Sequence, residues 1–276
     1  MTGFFPSPKE GDLSLFRNIV RLELKYQNPV SGDVITSIGT GFCISDLKDS
    51  WLFTNKHCID SRFGTMAAAG WLLIHFAAVF PPVEGSKEIS RFICDVPKTK
   101  FFSCSTTDLA CVSLSHFTPE KTPGRATCNL YFESVMKICF FDNIHTGNSV
   151  AFIGYPGSLW DTLNNLPILR TGTISSIPAT NYTGDGQAEE PRVLISSMSI
   201  GGNSGSPVFY QTQNGLKVIG IMAGHYRLDQ SSHWKSDLDL DLTKNANPRT
   251  HVGLSYFIRS HEMHNFKSWH EKLLNT

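Results

Sequence analysis

Hydrophobic and polar residues alternate in short runs along most of the chain, and each run stops at turn chemistry. Asn18 to Tyr26 (NIVRLELKY) alternates apolar and polar residues, the period of a strand with one buried face. Asn28-Pro29-Val30-Ser31-Gly32-Asp33 then supplies a turn, and Ile38 to Ser45 (IGTGFCIS) resumes the sheet. Further strands are predicted at Trp51 to Thr54, Trp71 to Val79, Ile89 to Cys94, Leu109 to Leu114, Val150 to Gly154 and Leu169 to Ile177. Others follow at Arg192 to Ser197, Pro207 to Tyr210, Lys217 to Ala223 and Val252 to Phe257. Many short strands joined by tight turns predict an all-β sandwich or barrel system. One segment departs from that period. Ser260 to Leu274 places Met263, Phe266, Trp269 and Leu273 at i, i+3, i+6 and i+10, which predicts a terminal helix. Met66 to Phe80 is the longest apolar stretch; at fifteen residues, with His75 inside it, it is too short to span a bilayer and reads as a core strand pair. No repeat and no Gly-, Ser- or Pro-rich linker divides the chain.

Composition narrows the classes. The 276 residues suffice for one large domain or two small ones with a substantial core. Lys plus Arg and Asp plus Glu are both 24, so the net charge of zero argues against a nucleic-acid or polyanion binder. The 22 glycines and 14 prolines are an average share, which excludes collagen-like and low-complexity chains. The seven cysteines, Cys43, Cys58, Cys94, Cys104, Cys111, Cys128 and Cys139, are an odd number and contain no CxxC pair. The N-terminus (MTGFFPSPKEGDLSLF) lacks the basic and apolar regions of a signal peptide. A soluble, cytoplasmic protein with reduced thiols and no membrane contact is expected.

Three segments each place a reactive side chain beside the small residues its chemistry needs. In Ser199 to Val208 (SIGGNSGSPV), glycines flank Ser204 at −2 and +1, so the backbone approaches a substrate closely and the Gly202 and Ser204 N–H groups are placed to converge on a developing oxyanion. Pro207 fits a turn entering a strand rather than one entering a helix. The plain alternative is a glycine-rich hairpin with an exposed serine. In Trp51 to Ile59 (WLFTNKHCI), an apolar strand ends in a polar turn carrying His57, and histidine is the usual base for a serine nucleophile near neutral pH. A structural histidine at a strand end is the alternative. In Thr106 to Leu114 (TTDLACVSL), Asp108 precedes an apolar strand; it either caps a turn or accepts the second imidazole N–H and fixes the tautomer. Order decides among these readings. The chain runs His57, Asp108, Ser204, the order of chymotrypsin-type enzymes and not of subtilisins or α/β-hydrolases.

With those residues in place, GTGFCI (39–44), TNKHCI (54–59), TDLACVSL (107–114), GYPG (154–157), TGTISSI (171–177), GGNSGSPVF (201–209) and GLKVIGIMAG (215–224) resemble trypsin-like serine peptidases. The motifs are most similar to the bacterial branch of glutamyl endopeptidases and high-temperature-requirement proteases. The resemblance runs from about Asn18 to Ile258. It implies two packed six-stranded antiparallel barrels, over 18–125 and 126–258, between a lead segment, 1–17, and a C-terminal helix, 259–276. It implies a cleft between the barrels with His57 as base, Asp108 as its orienting group and Ser204 as nucleophile, and an oxyanion turn of Gly202, Asn203 and Ser204. Asn203 stands where animal digestive enzymes carry an aspartate that pairs with a cut N-terminus, so that activation route is not expected.

By the same resemblance, the specificity pocket is lined by Met198, Ser199 and Ile200 and by Met222, Ala223, Gly224 and His225. Neither stretch carries an acid, so a preference for Lys or Arg has no counter-charge. Met198 and Met222 point to a medium-sized apolar or uncharged residue before the scissile bond; Ser199 and His225 keep an acidic or glutamine preference open. Met222 occupies the strand position where glutamyl endopeptidases are expected to have a histidine. Asp237, Asp239 and Asp241 read as a solvated acidic loop rather than a calcium site, and Gly184 to Gln187 as a hairpin tip. His261, His264 and His270 lack the H-E-x-x-H pattern, so neither metal nor cofactor is expected. Extracellular relatives carry a disulfide near Cys58, but Cys43 follows the GTG glycines instead of preceding them, and buried thiols are expected. The predicted partner is a protein or peptide substrate, with an activating protein as a further candidate. The competing class is a catalytically silent two-barrel binding module.

Overall fold

The computed structural model describes residues 15–45, 49–60, 70–82, 88–120, 135–136, 138–157, 159–183, 190–228, 234–236 and 250–272. The first hairpin joins β1 (Ile19–Gln27) to β2 (Val34–Ser45) through a turn that Asn28 builds: its Oδ1 accepts the Val30 and Ser31 N–H groups at 2.9 and 3.3 Å. Gly32, at φ 77°, reverses the chain where a side chain would be strained. The other strands of this half are β3 (Ser50–Thr54), β4 (Leu72–Phe80), β5 (Ser90–Cys94), β6 (Phe101–Ser103), β7 (Ala110–Ser113) and β8 (Phe117–Pro119). The second half holds β9 (Ser149–Gly154), β10 (Ile168–Ile174), β11 (Arg192–Ser196), β12 (Pro207–Thr212), β13 (Gly215–Leu228), β14 (Trp234–Ser236) and β15 (Thr250–Arg259), and a last strand, β16 (His270–Lys272), follows.

The antiparallel strands form two sheets. One has the order β16-β6-β7-β3-β2-β1-β4-β5-β8; the other runs β12-β9-β10-β11-β15-β13-β14, and β12 pairs with β13 to close six of its strands into a barrel. The all-β expectation holds, with one difference. The first half is a curled nine-stranded sheet rather than a closed six-stranded barrel, because its end strands β16 and β8 do not pair with each other.

Alternation explains the cores. Val20, Leu22, Leu24 and Tyr26 of β1 face the interior of the first sheet with Leu52, Phe76 and Phe101. Phe152, Ile195, Met222 and Phe257 fill the barrel. A third cluster, including Ile19, Phe42, Phe53, Ile153, Tyr155, Phe209, Tyr256 and Ile258, draws on both sheets and forms the seam between them. Strands such as β9 bury both faces, Phe152 inward and Ile153 into the seam, so their sequence reads as a continuous apolar run.

The terminal α-helix expected over Ser260 to Leu274 is not formed. Ser260–Ser268 is a 3₁₀ segment kinked at Asn265, after which Trp269 turns extended and β16 adds to the edge of β6. Met263, Phe266 and Trp269 recur every three residues, the 3₁₀ period, and all three are buried in the seam cluster. The stretch read as a strand pair over Met66 to Phe80 contains one strand, β4, in its described part; 61–69 lie outside the described residues, as do Gly184 to Gln187, Asp237, Asp239, Asp241 and Cys128. Among the described residues, no helix is long and apolar enough to cross a membrane.

Candidate active site

Two neighbouring strands bring His57 to Asp108. β3 pairs with β7 so that Thr54 lies opposite Ala110. His57 follows Thr54 by three residues in a single 3₁₀ turn, Lys56–Cys58, and Asp108 precedes Ala110 by two. The Asp108 carboxylate holds the histidine at two points: Oδ1 accepts the His57 backbone N–H at 2.9 Å, and Oδ2 lies 2.7 Å from Nδ1. The Asp108 backbone is pinned in turn, its carbonyl accepting Asn55 Nδ2 at 2.9 Å and the Lys56 N–H at 3.3 Å. Lys56 Nζ donates to the Cys104 carbonyl at 3.0 Å, and the Cys104 N–H to the Leu109 carbonyl at 2.9 Å, closing the loop around the carboxylate. The Asp108 side chain is 1% exposed, whereas that of His57 is 20% exposed, so the imidazole alone faces solvent. Burial pushes the imidazole toward its neutral form, but the Asp108 charge outweighs it and, with the neighbouring Cys58 sulfur, holds His57 well above its ordinary pKa.

Ser204 sits on a turn that only glycines permit. Gly202 has φ 93° and Gly205 φ 87°; a Cβ on Gly202 would lie 2.3 Å from the Tyr155 carbonyl oxygen, and one on Gly205 1.8 Å from that of Thr40. The turn is fastened on both sides. Asn203 N–H donates to the Ile200 carbonyl at 3.1 Å, Gly205 N–H to the Met222 carbonyl at 2.9 Å, and Met222 N–H to the Ser206 carbonyl at 2.8 Å. Gly157 N–H donates to the Gly201 carbonyl at 2.6 Å. Among the described residues, the Gly202 and Ser204 N–H groups donate to no protein acceptor, which leaves both free for an oxyanion. Asn203 is fully buried and carries no carboxylate to pair with an N-terminal ammonium.

Three residues that the sequence reading did not single out join the halves. The Thr40 N–H donates to the Ser204 carbonyl at 2.8 Å. Its hydroxyl donates to the Gly202 carbonyl at 2.7 Å and accepts the Tyr155 N–H at 2.9 Å, and its carbonyl accepts the Thr54 hydroxyl at 2.8 Å. Thr54 ends the strand that presents His57, so one chain of hydrogen bonds runs from the histidine strand to the serine turn. The sequence signal was a threonine between two glycines in an apolar strand, Gly39-Thr40-Gly41.

The flanking residues separate. Met198 is 55% exposed at the rim, Ser199 is buried and Ile200 is half-buried near Gly157. Met222 packs in the barrel core with Phe152, Ile195 and Phe257, and the β13–β15 register shifts between Met222 and Gly224. Ala223 and His225 are buried, and Gly224 lies against the Tyr256 ring. Cys43, Cys58, Cys94, Cys104 and Cys111 are buried free thiols, and the backbone position facing Cys58 Sγ is Gly39 rather than Cys43. His264 lies 2.8 Å from the Val135 carbonyl and His261 contacts Glu262; among the described residues, no three potential metal ligands converge.

Comparison with known proteins agrees with this geometry. Among solved structures, the chain is similar to the crystal structure of protease Anisep from Arthrobacter nicotinovorans, with a TM-score of 0.51 and 14% identity over 88% of this chain and 90% of that one, which is a likeness of fold. No curated protein matches it. The trypsin-like peptidase domain matches residues 39–221, a span that takes in His57, Asp108 and the Ser204 turn, and the chain belongs to that family.

Proposed function

We propose that the protein is a serine endopeptidase acting through His57, Asp108 and Ser204. The observation that carries the reading is the 2.7 Å contact between His57 Nδ1 and the buried Asp108 carboxylate, which fixes the tautomer and leaves Nε2 as the base. His57 takes the Ser204 proton as Oγ attacks the peptide carbonyl; the Gly202 and Ser204 N–H groups stabilise the oxyanion. Collapse releases the amine, which receives the proton from His57, and leaves an acyl-enzyme. Water, deprotonated by His57, then attacks the ester, and the proton returns to Ser204 Oγ. Peptide binds where 198–200 and 222–225 flank the serine turn, a placement supported by the Ile200 and Met222 carbonyls, which accept the Asn203 and Gly205 N–H groups. The GYPG and GNSGSPVF motifs favour kinship with the bacterial branch, and the five buried free thiols favour a reducing, cytoplasmic setting.

A fluorophosphonate probe tests the reading. Wild type is expected to be labelled at Ser204, Ser204→Ala is not, and both fold. Labelling that appears only with added lysate identifies an enzyme awaiting an activating partner; a folded wild type that no condition labels refutes the peptidase reading in favour of a binding module.

A further inference from the structure

His57 rides on a single 3₁₀ turn, Lys56–Cys58, whose two ends are held from different sides. Its first end is fixed by the Asp108 carbonyl, which accepts the Asn55 side chain and the Lys56 N–H. Its last end is fixed from β1, where the Tyr26 hydroxyl donates to the Cys58 carbonyl at 2.7 Å. Tyr26 is buried, opposite Ile35 of β2 and Leu73 of β4. Burial pushes its hydroxyl well above the ordinary tyrosine pKa, so it remains a donor through the neutral range. Among the described residues, no backbone N–H donates to the Cys58 carbonyl; the Ile59 and Asp60 N–H groups both donate to the Lys56 carbonyl. The Cys58 sulfur is enclosed too, beside the imidazole and 3.4 Å from the point a Cβ on Gly39 would occupy. Cys58 is 4% exposed, so its carbonyl without Tyr26 is a buried acceptor lacking a donor, and the turn has to rotate to find one. His57 lies inside the segment that rotates, next to the displaced carbonyl.

Resting on the peptidase reading above, we propose that Tyr26 is a positioning residue for the base: its hydroxyl, acting through the Cys58 carbonyl, sets the orientation of the His57 turn against Asp108. The histidine is then held between two buried anchors, the Asp108 carboxylate on its ring and backbone N–H and the Tyr26 hydroxyl on the following peptide. Both anchors come from the first sheet and its loops, so the base is oriented independently of the serine turn.

Tyr26→Phe removes the hydroxyl alone and tests the proposal in the folded protein, well below its unfolding temperature. The fluorophosphonate labelling rate is expected to fall roughly 10- to 100-fold, since a misplacement of about 1 Å can cost about 10²-fold. Labelling needs neutral His57, so the rate rises with pH through the His57 pKa. With the Asp108 contact loosened, burial gains, and that midpoint is expected to move to lower pH together with the His57 titration read by NMR. p-Aminophenylalanine at position 26 returns an N–H donor and is expected to restore rate and midpoint. p-Fluorophenylalanine, which fills the space without a donor, replaces phenylalanine if that variant does not fold. A donor-free variant that labels within twofold of wild type, or whose His57 midpoint is unmoved, overturns the proposal even if its Tm falls, because Tyr26 then only braces the core. Failure of p-aminophenylalanine to restore either readout also overturns it. A wild type that fluorophosphonate never labels refutes the peptidase reading instead, and the His57 titration still decides the role of Tyr26.

Discussion

Thr40→Val removes one hydroxyl from a buried site and leaves the shape of the side chain nearly unchanged. The hydroxyl makes two hydrogen bonds that span the halves, to the Gly202 carbonyl at 2.7 Å and from the Tyr155 N–H at 2.9 Å. Each is worth about 1 kcal/mol net, and stranding the buried Tyr155 N–H adds roughly 1–3 kcal/mol. The sum is about 3–5 kcal/mol, which for a chain of this size lowers Tm by roughly 6–20 °C. Gly202 is the residue whose N–H is proposed to serve the oxyanion, so a loosened Gly202 carbonyl should also disorder that donor. The acylation rate should fall about tenfold, short of the 10²–10³ expected when such a donor is lost outright. Thermal unfolding and the fluorophosphonate labelling rate measure the two effects, with Thr40→Ser, which keeps the hydroxyl, as control. If Thr40→Val unfolds within 2 °C of wild type and labels at the same rate, Thr40 is not the tie between the halves.

Two further substitutions test the catalytic pair and its surroundings. Asp108→Asn should slow acylation by about 10⁴-fold, since the amide no longer enforces the required tautomer, and should let His57 titrate lower, because burial then loses its main opponent and faces only the Cys58 sulfur. Histidine resonances followed by NMR against pH read this directly, and an unmoved His57 titration contradicts the assigned cause. The same raised pKa stabilises the wild type in the protonated form: the advantage is fully present below about pH 6.5, the unfolded value, and is lost as pH rises through the higher folded pKa. Gly39→Cys should cross-link to Cys58, because a Cβ at position 39 lies 3.4 Å from Cys58 Sγ. Closing that loop of about twenty residues is worth about 3 kcal/mol, seen as a gain in Tm that dithiothreitol abolishes; an unchanged free-thiol count after oxidation refutes the geometry.

Local order was legible in the sequence wherever a strand was long enough to alternate and ended at turn residues. Asn18 to Tyr26 became β1 within one residue at each end, and Trp51 to Thr54 became β3. Strands β6, β8, β14 and β16 span three residues each, too few for a period to register, and their pairing comes from neighbouring strands. The terminal segment was misread because spacing of three residues fits one face of either helix type until the kink at Asn265 separates them. His57 and Asp108 were legible because the motif order carries information that neither residue has alone. Thr40 was not: its partners Gly202 and Tyr155 lie 162 and 115 residues away, and no local pattern reports such contacts.

These distances in sequence also explain how the site is divided. His57 and Asp108 meet inside one sheet, through adjacent strands β3 and β7. Ser204 belongs to the other sheet and reaches the first through Thr40. The chain then crosses back: Phe266 packs on Trp51 at 4.6 Å and on Phe53 at 5.6 Å between ring centroids, and β16 adds to the edge of β6, three residues after which the loop toward Asp108 is under way. The seam cluster thus draws on strands from both sheets and on the C-terminal return. Separating the halves would expose Phe53, Phe209, Tyr256 and Phe266 together, an apolar patch larger than a soluble surface ordinarily carries. The His57–Asp108 pair is therefore held by adjacent strands of one sheet, whereas the Ser204 turn is held from across the seam, so loss of the Thr40 hydroxyl should act on Ser204 labelling before it moves the His57 titration.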